Sequence, residues 1–181
     1  MTRLSYAIVT TAAVSLLGLA SIASFAPRLI WNASASTPVG FYTIGDVGAL
    51  DLTDLVAVDA PEPLATFLSD GGYLPRGVPL LKRVAALPGQ RVCRTGLAIT
   101  VDGVPLGDAL DRDRRGRPLP VWQGCRSVAD GELFLMNWQV RDSLDGRYFG
   151  PLPASAVIGR ATPLYTDEDG DGRFVWRAPT R

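Results

Sequence analysis

The chain has eighteen basic residues, eighteen acidic residues and no histidine, and this limits the chemistry open to it. Only one basic residue is a lysine, Lys82, in the apolar segment Leu80-Leu81-Lys82-Arg83-Val84-Ala85-Ala86-Leu87-Pro88-Gly89. Without histidine there is no Ser-His-Asp triad and no His-built metal site. Arginine stays protonated and cannot accept a proton. A nucleophile here would depend on Lys82, whose neutral amine is favoured by burial. Composition offers a plainer account, in which high-GC coding has exchanged lysine for arginine and one lysine remains.

Two further segments carry groups of the right kind. In Asn32-Ala33-Ser34-Ala35-Ser36-Thr37-Pro38-Val39-Gly40-Phe41-Tyr42, small residues flank Ser36, and Pro38 and Gly40 shape the backbone behind it. A nucleophile needs such an open turn; taken alone, the segment is also a Ser-rich linker. Asn137 to Pro151 is dense in polar side chains directly after an apolar strand, and taken alone is a charged surface loop. Asp167-Glu168-Asp169-Gly170-Asp171-Gly172 fits the start of a calcium loop, but the twelfth position is Ala178 in place of glutamate. It reads as a solvated turn, and no metal or cofactor is expected.

These groups must be held by a small framework. A chain of 181 residues suits one domain. Net charge is zero, so no global field draws nucleic acid, and no nucleic-acid partner is expected. Basic residues concentrate only at Arg112, Arg114, Arg115 and Arg117, among Asp108, Asp111 and Asp113, which reads as a solvated loop. From Leu4 to Pro27 no residue is charged, and Tyr6 to Ala26 would span roughly 30 Å as a helix. Cleavable leaders usually have a shorter apolar run. Residues 1–30 are therefore expected to be a single retained transmembrane anchor and 31–181 a β-rich domain. Small-x-small sites at Ser24-Phe25-Ala26 and Ala33-Ser34-Ala35 leave cleavage open. Arg3 and the terminal amine favour a cytoplasmic N-terminus, with Arg28 weakening the bias, which puts the domain on the far side. Cys93 and Cys125 are too few for a zinc site. In an oxidising compartment they would pair, for roughly 3–4 kcal/mol; the alternative is two buried thiols.

The elements are short and β-like. Gly40 to Ile44, Leu55 to Val58, Leu80 to Ala86, Gly131 to Met136 and Ala156 to Ala161 read as strands. Gly96 to Gly103 is a strand running into an Asp-Gly hairpin turn. Arg173 to Trp176 is a candidate to close the sheet, and one helix is expected near Pro63 to Ser69. The 19 glycines and 14 prolines suit a mainly β domain.

Taken together, the three polar segments resemble the signal peptidase superfamily of Ser-Lys proteases, and most closely its TraF-type conjugative-transfer peptidases. That family looks like N-x-[ST]-x-S-x-P-x-G-x-Y after one membrane anchor, then K-R-V-x-x-L-P-G, then S-x-D-x-R-Y-x-G-P. Here these read NASASTPVGFY, KRVAALPG and SLDGRYFGP, in that order. The resemblance implies a signal-peptidase-like β-domain with Ser36 as nucleophile and Lys82 as general base. It implies Ser34 as a hydroxyl of the oxyanion hole beside the Ser36 amide, Ser143 as the group orienting the amine, and Asp145 and Arg147 as a supporting ion pair. Two departures stand out: Thr37 follows the serine where general leader peptidases have methionine, and Gly146 stands where many relatives carry serine.

The implied activity is a membrane-anchored serine endopeptidase on the periplasmic face of the inner membrane. Its substrate would be an exported precursor polypeptide, a pilin or a signal-peptide-bearing protein, bound as an extended strand beside membrane lipid. Pilin maturation in conjugative transfer is the TraF-type expectation, with water or an amine resolving the acyl-enzyme. The alternatives are a general leader peptidase, or a non-catalytic anchored β-domain of an export or pilus assembly.

Overall fold

The computed structural model describes residues 2–22 and 28–179. A helix, α1 (Arg3–Ile22), comes first, with Leu4, Ile8, Val9, Val14, Leu16 and Leu17 all exposed. Among the described residues no helix is long and apolar enough to cross a membrane. The expected span runs from Tyr6 to Ala26, and its end, with the Ser24-Phe25-Ala26 site, lies outside the described residues. The expected span is thus not confirmed among the described residues.

The domain that follows is mainly β. Its strands are β1 (Leu29–Asn32), β2 (Val39–Gly45), β3 (Leu55–Val58), β4 (Leu80–Ala86), β5 (Arg91–Thr95) and β6 (Ala98–Val101). They continue with β7 (Val104–Asp108), β8 (Gly124–Ser127), β9 (Glu132–Leu135), β10 (Leu152–Pro153), β11 (Val157–Asp167) and β12 (Val175–Trp176). Two short helices interrupt them, α2 (Leu64–Asp70) and α3 (Gly146–Phe149). The large sheet runs β1-β2-β11-β3-β4-β9-β10, with β12 paired to the end of β11. The small sheet runs β7-β6-β5-β8.

Side-chain alternation explains the layers. In β3 all four residues are buried, so this strand sits at the centre. Leu55 and Ala57 join Tyr42, Ile44, Leu81 and Ala161 in one cluster. Val56 and Val58 join Val84, Leu133, Leu135 and Val157 in another. Each fully buried aliphatic side chain contributes roughly 1.5–3 kcal/mol. The long strand β11 bridges β2 and β3, and its register shifts between Pro163 and Tyr165, where proline cannot donate to the ladder. Gly40 is required by this crossing. It has φ +150°, and a Cβ there would lie 2.2 Å from the Tyr165 carbonyl oxygen.

Asp102 and Gly103 both take positive φ in the β6–β7 hairpin, as the Asp-Gly signal predicts. The last strand is two residues long and caps β11 at an edge; it does not close the sheet, because Asp167 to Gly172 turns away first. In that turn both Asp167 carboxylate oxygens accept backbone amides, from Asp171 and Gly172 at 3.1 and 2.9 Å.

Cys93 and Cys125 are register partners on β5 and β8 and are joined by a disulfide. Reduction, or the pair Cys93→Ala and Cys125→Ala, is expected to remove roughly 3–4 kcal/mol. A thermal melt with and without reductant should show a fall of about 6–15 °C. No shift would mean that the small sheet closes without the bond.

Candidate active site

The three segments singled out by residue type converge. The turn between β1 and β2 carries Ser34 and Ser36, β4 carries Lys82, and the stretch from the end of β9 to α3 carries Asn137, Ser143, Asp145 and Arg147.

Asn32 builds the serine turn. Its Nδ2 donates to the Ser34 carbonyl at 2.8 Å, the Thr37 hydroxyl at 2.8 Å and the Pro38 carbonyl at 3.0 Å. Its Oδ1 accepts from the Ser34 amide at 3.1 Å and the Ser34 hydroxyl at 2.8 Å. The Tyr42 hydroxyl donates to the Pro38 carbonyl at 2.7 Å. Burial pushes that phenol up to about 12, so it remains a donor. The turn is thus fixed from below while Ser36 stays only half-buried. Ser36 Oγ lies 3.1 Å from Ser34 Oγ.

Lys82 lies opposite Val56 in the β3–β4 ladder and is only 4% exposed. Burial lowers its pKa from 10.5 to about 8, against the upward pull of Asp145, and Arg147 adds a smaller downward push. Its Nζ donates to Ser143 Oγ at 2.9 Å. Ser143 is itself buried, so the amine is aimed by a fixed hydroxyl. No hydrogen bond joins Lys82 to Ser36 among the described residues; the two side chains line one open cavity of about 330 Å³, together with Ser34 and Ser143.

Asp145 and Arg147 form a buried two-point ion pair, Nε to Oδ1 at 2.9 Å and Nη2 to Oδ2 at 2.8 Å. Arg147 also donates to the Arg141, Asn137 and Val140 carbonyls at 3.0, 3.1 and 2.6 Å. Asp145 accepts the Arg147 amide as the cap of α3 and the Asn137 amide at 3.0 Å. The pair therefore shapes the loop that presents Ser143. At Gly146 a Cβ would come 2.6 Å from the Phe134 ring and 2.8 Å from the Leu135 carbonyl oxygen. A serine here, which the resemblance would allow, does not fit this packing.

The sequence reading assigned no role to Asn137, yet this side chain links all three segments. Its Nδ2 donates to the Ser36 carbonyl at 2.7 Å and the Leu81 carbonyl at 3.1 Å, and its Oδ1 accepts the Arg83 amide at 3.0 Å. A polar residue directly after an apolar strand, followed by the Asp-x-Arg pair, is the signal that marks it. The basic stretch read as a solvated loop is largely exposed, but Arg114, Arg115 and Arg117 also wall the cavity.

Comparison with known proteins gives the family. The family signal peptidase, peptidase S26, matches residues 1–166. A probable conjugal transfer protein TraF of Sinorhizobium fredii is 34% identical over 145 residues, 75% of this chain and 76% of that one. The conjugal transfer protein TraF of Agrobacterium fabrum is 35% identical over 147 residues, 75% of this chain and 81% of that one. A crystal structure of a signal peptidase I from Enterococcus faecalis V583 aligns with TM-score 0.39 at 19% identity, covering 64% of this chain and 98% of that one.

Proposed function

The chain belongs to the signal peptidase, peptidase S26 family as a TraF-type member, and from that premise we propose that it is a membrane-anchored serine endopeptidase working through Ser36 and Lys82. One observation carries the reading: a buried amine of lowered pKa, aimed by Ser143, faces the cavity that also holds Ser34 and Ser36.

The chemistry follows from these groups. The neutral Lys82 amine takes the Ser36 proton as Oγ attacks a peptide carbonyl carbon. A rotation of the Ser36 side chain away from Ser34 precedes this step. The oxyanion is stabilised by the Ser36 amide and the Ser34 hydroxyl, which turns from Asn32 to donate to it. The carbon–nitrogen bond then breaks, and the lysine ammonium returns its proton to the leaving amine. Water, deprotonated by Lys82, attacks the Ser36 ester, the bond from the acyl carbon to Oγ breaks, and Lys82 returns the proton to Oγ as the acid leaves; an amine in place of water would give a ligated product.

The substrate on this reading is an exported precursor polypeptide, and the names of the TraF relatives favour one used in conjugative transfer, such as a pilin. Residues 1–30 act as the anchor and residues 31–181 lie on the periplasmic side of the inner membrane, supported by the exposed apolar α1 and the disulfide. The direct test incubates the full chain in lipid vesicles with pilin and signal-peptide-bearing precursors and reads products by mass spectrometry. Cleavage with a covalent adduct on Ser36 is the expected result. Ser36→Ala should reduce the rate about 10³-fold or more. Equal cleavage by Ser36→Ala would sink the Ser36 assignment, and no cleavage of any precursor by the wild-type chain would favour a non-catalytic assembly subunit.

A further inference from the structure

Ser36 stands at the junction of two cavities of opposite charge. On one side, Arg114, Arg115 and Arg117 face Asp113 and Asp142 around the cavity that contains Lys82. On the other side, Asp167, Glu168 and Asp169 face only Arg83, whose Nη1 donates to the Thr53 carbonyl at 2.9 Å.

Among the described residues, the first cavity has one arginine left over. Arg117 Nε donates to Asp113 Oδ2 at 2.7 Å, its Nη1 donates to the Gly71 carbonyl at 2.7 Å, and its guanidinium lies over the Tyr73 ring. Arg114 pairs with Asp142, the neighbour of Ser143. Asp113 is saturated: the Tyr73 hydroxyl donates to Oδ2 at 2.6 Å, and the Arg115 and Arg117 amides both donate to Oδ1 at 2.8 Å. The Tyr73 hydrogen bond is the largest influence holding that carboxyl well below the usual range, so it stays ionised. Among the described residues the Arg115 guanidinium has no carboxylate and no carbonyl partner. Its backbone is nonetheless fixed, because Arg112 and Pro118 bridge across the loop and Asp113 ties its tip. Of the three arginines, Arg117 is tied into the loop framework and Arg114 is paired with Asp142 at the surface, which leaves Arg115 over.

We infer that Arg115 is a specificity residue that receives a carboxylate of the bound polypeptide, on the side of the cut away from Asp167, Glu168 and Asp169. A planar guanidinium suits such a group, because it offers two parallel donors. The opposite cavity repels the same group, so the cleft reads the direction of the chain as well as its charge. The carboxylate is either an Asp or Glu side chain or a free chain terminus near the cut. The inference rests on the peptidase reading for its link to catalysis, but not for binding.

The experiment uses peptides spanning one cut site, with Glu or Gln placed on either side of it, and with free-acid or amidated ends. The wild-type chain should favour Glu over Gln by about 5- to 20-fold in kcat/KM on one side only, since hydrogen bonds to charged groups are the stronger ones. The free-acid and amide pair identifies which carboxylate is used. Arg115→Ala should bring the ratio to within about twofold, and Arg115→Glu should invert it. The same peptides, fluorescently labelled, are titrated onto Ser36→Ala protein with and without the Arg115 changes. If no peptide is cut but the charge preference in binding follows Arg115, the peptidase reading fails and this inference stands. A wild-type ratio near one, a preference unchanged in Arg115→Glu, or no binding of any peptide overturns it.

Discussion

Lys82→Arg is expected to lower kcat/KM by about 10³-fold or more, although the positive charge is kept. A general base contributes roughly 10²–10⁴-fold, and a guanidinium supplies none of it, because it does not give up its proton near neutral pH. The wild-type profile should carry the same signature. On this assignment the reactive form is the neutral amine, so kcat/KM should rise with pH and level off above about 8, where burial has placed the Lys82 pKa. A profile flat between pH 6 and 9 would contradict the assignment, as would wild-type turnover by Lys82→Arg. Stability gives a readout independent of substrate. The folded-state pKa is below the ordinary 10.5, so at this site the unfolded chain binds more protons between about 8 and 10.5, and the Lys82 contribution to stability rises with pH across that window. Lys82→Met lacks this proton linkage. It should melt above the wild type at pH 6.5, and the gap should close toward pH 10.5.

Asp145→Ala should damage the fold severely, costing about 3–5 kcal/mol. It strands the Arg147 guanidinium, whose side chain is only 1% exposed, without a counter-charge. It also orphans the Asn137 amide, an acceptor-dependent donor inside the site. A thermal melt should fall by about 6–20 °C. Asp145→Leu combined with Arg147→Met should recover part of that loss, since a buried pair replaced on both sides leaves no uncompensated charge. A fall of only a degree or two would show that the Arg147 carbonyl contacts suffice by themselves. Ser143 presentation depends on the same loop, so activity should fall more steeply than stability.

Much of this site could be read from residue types. The absence of histidine isolated Lys82, and Pro38 and Gly40 marked the serine turn because only such residues suit its backbone. The central strands β2, β3, β4, β9 and β11 follow from apolar runs that alternate or are buried on both faces. The strands β5, β7 and β8 carry too many polar and glycine residues to announce themselves; pairing in the small sheet makes them strands, with the Cys93–Cys125 bond across one rung. Asn137 and Asn32 escaped assignment because an asparagine's value is in its long-range partners. Asn137 reaches Ser36 across 101 positions of sequence, which no local pattern encodes. The role of Arg115 was hidden for a related reason. Four arginines among aspartates look alike until the pairings are resolved, and only then does one remain over.

That single asparagine has a consequence for timing. During synthesis the hydroxyl of Ser36 emerges about a hundred residues before the amide that clamps its carbonyl and before the loop that aims the amine. A nascent or truncated chain ending ahead of Asn137 holds Ser36 and Lys82, the two proposed reacting groups, and neither restraint. On the proposed assignment, activity therefore waits for the final third of the chain.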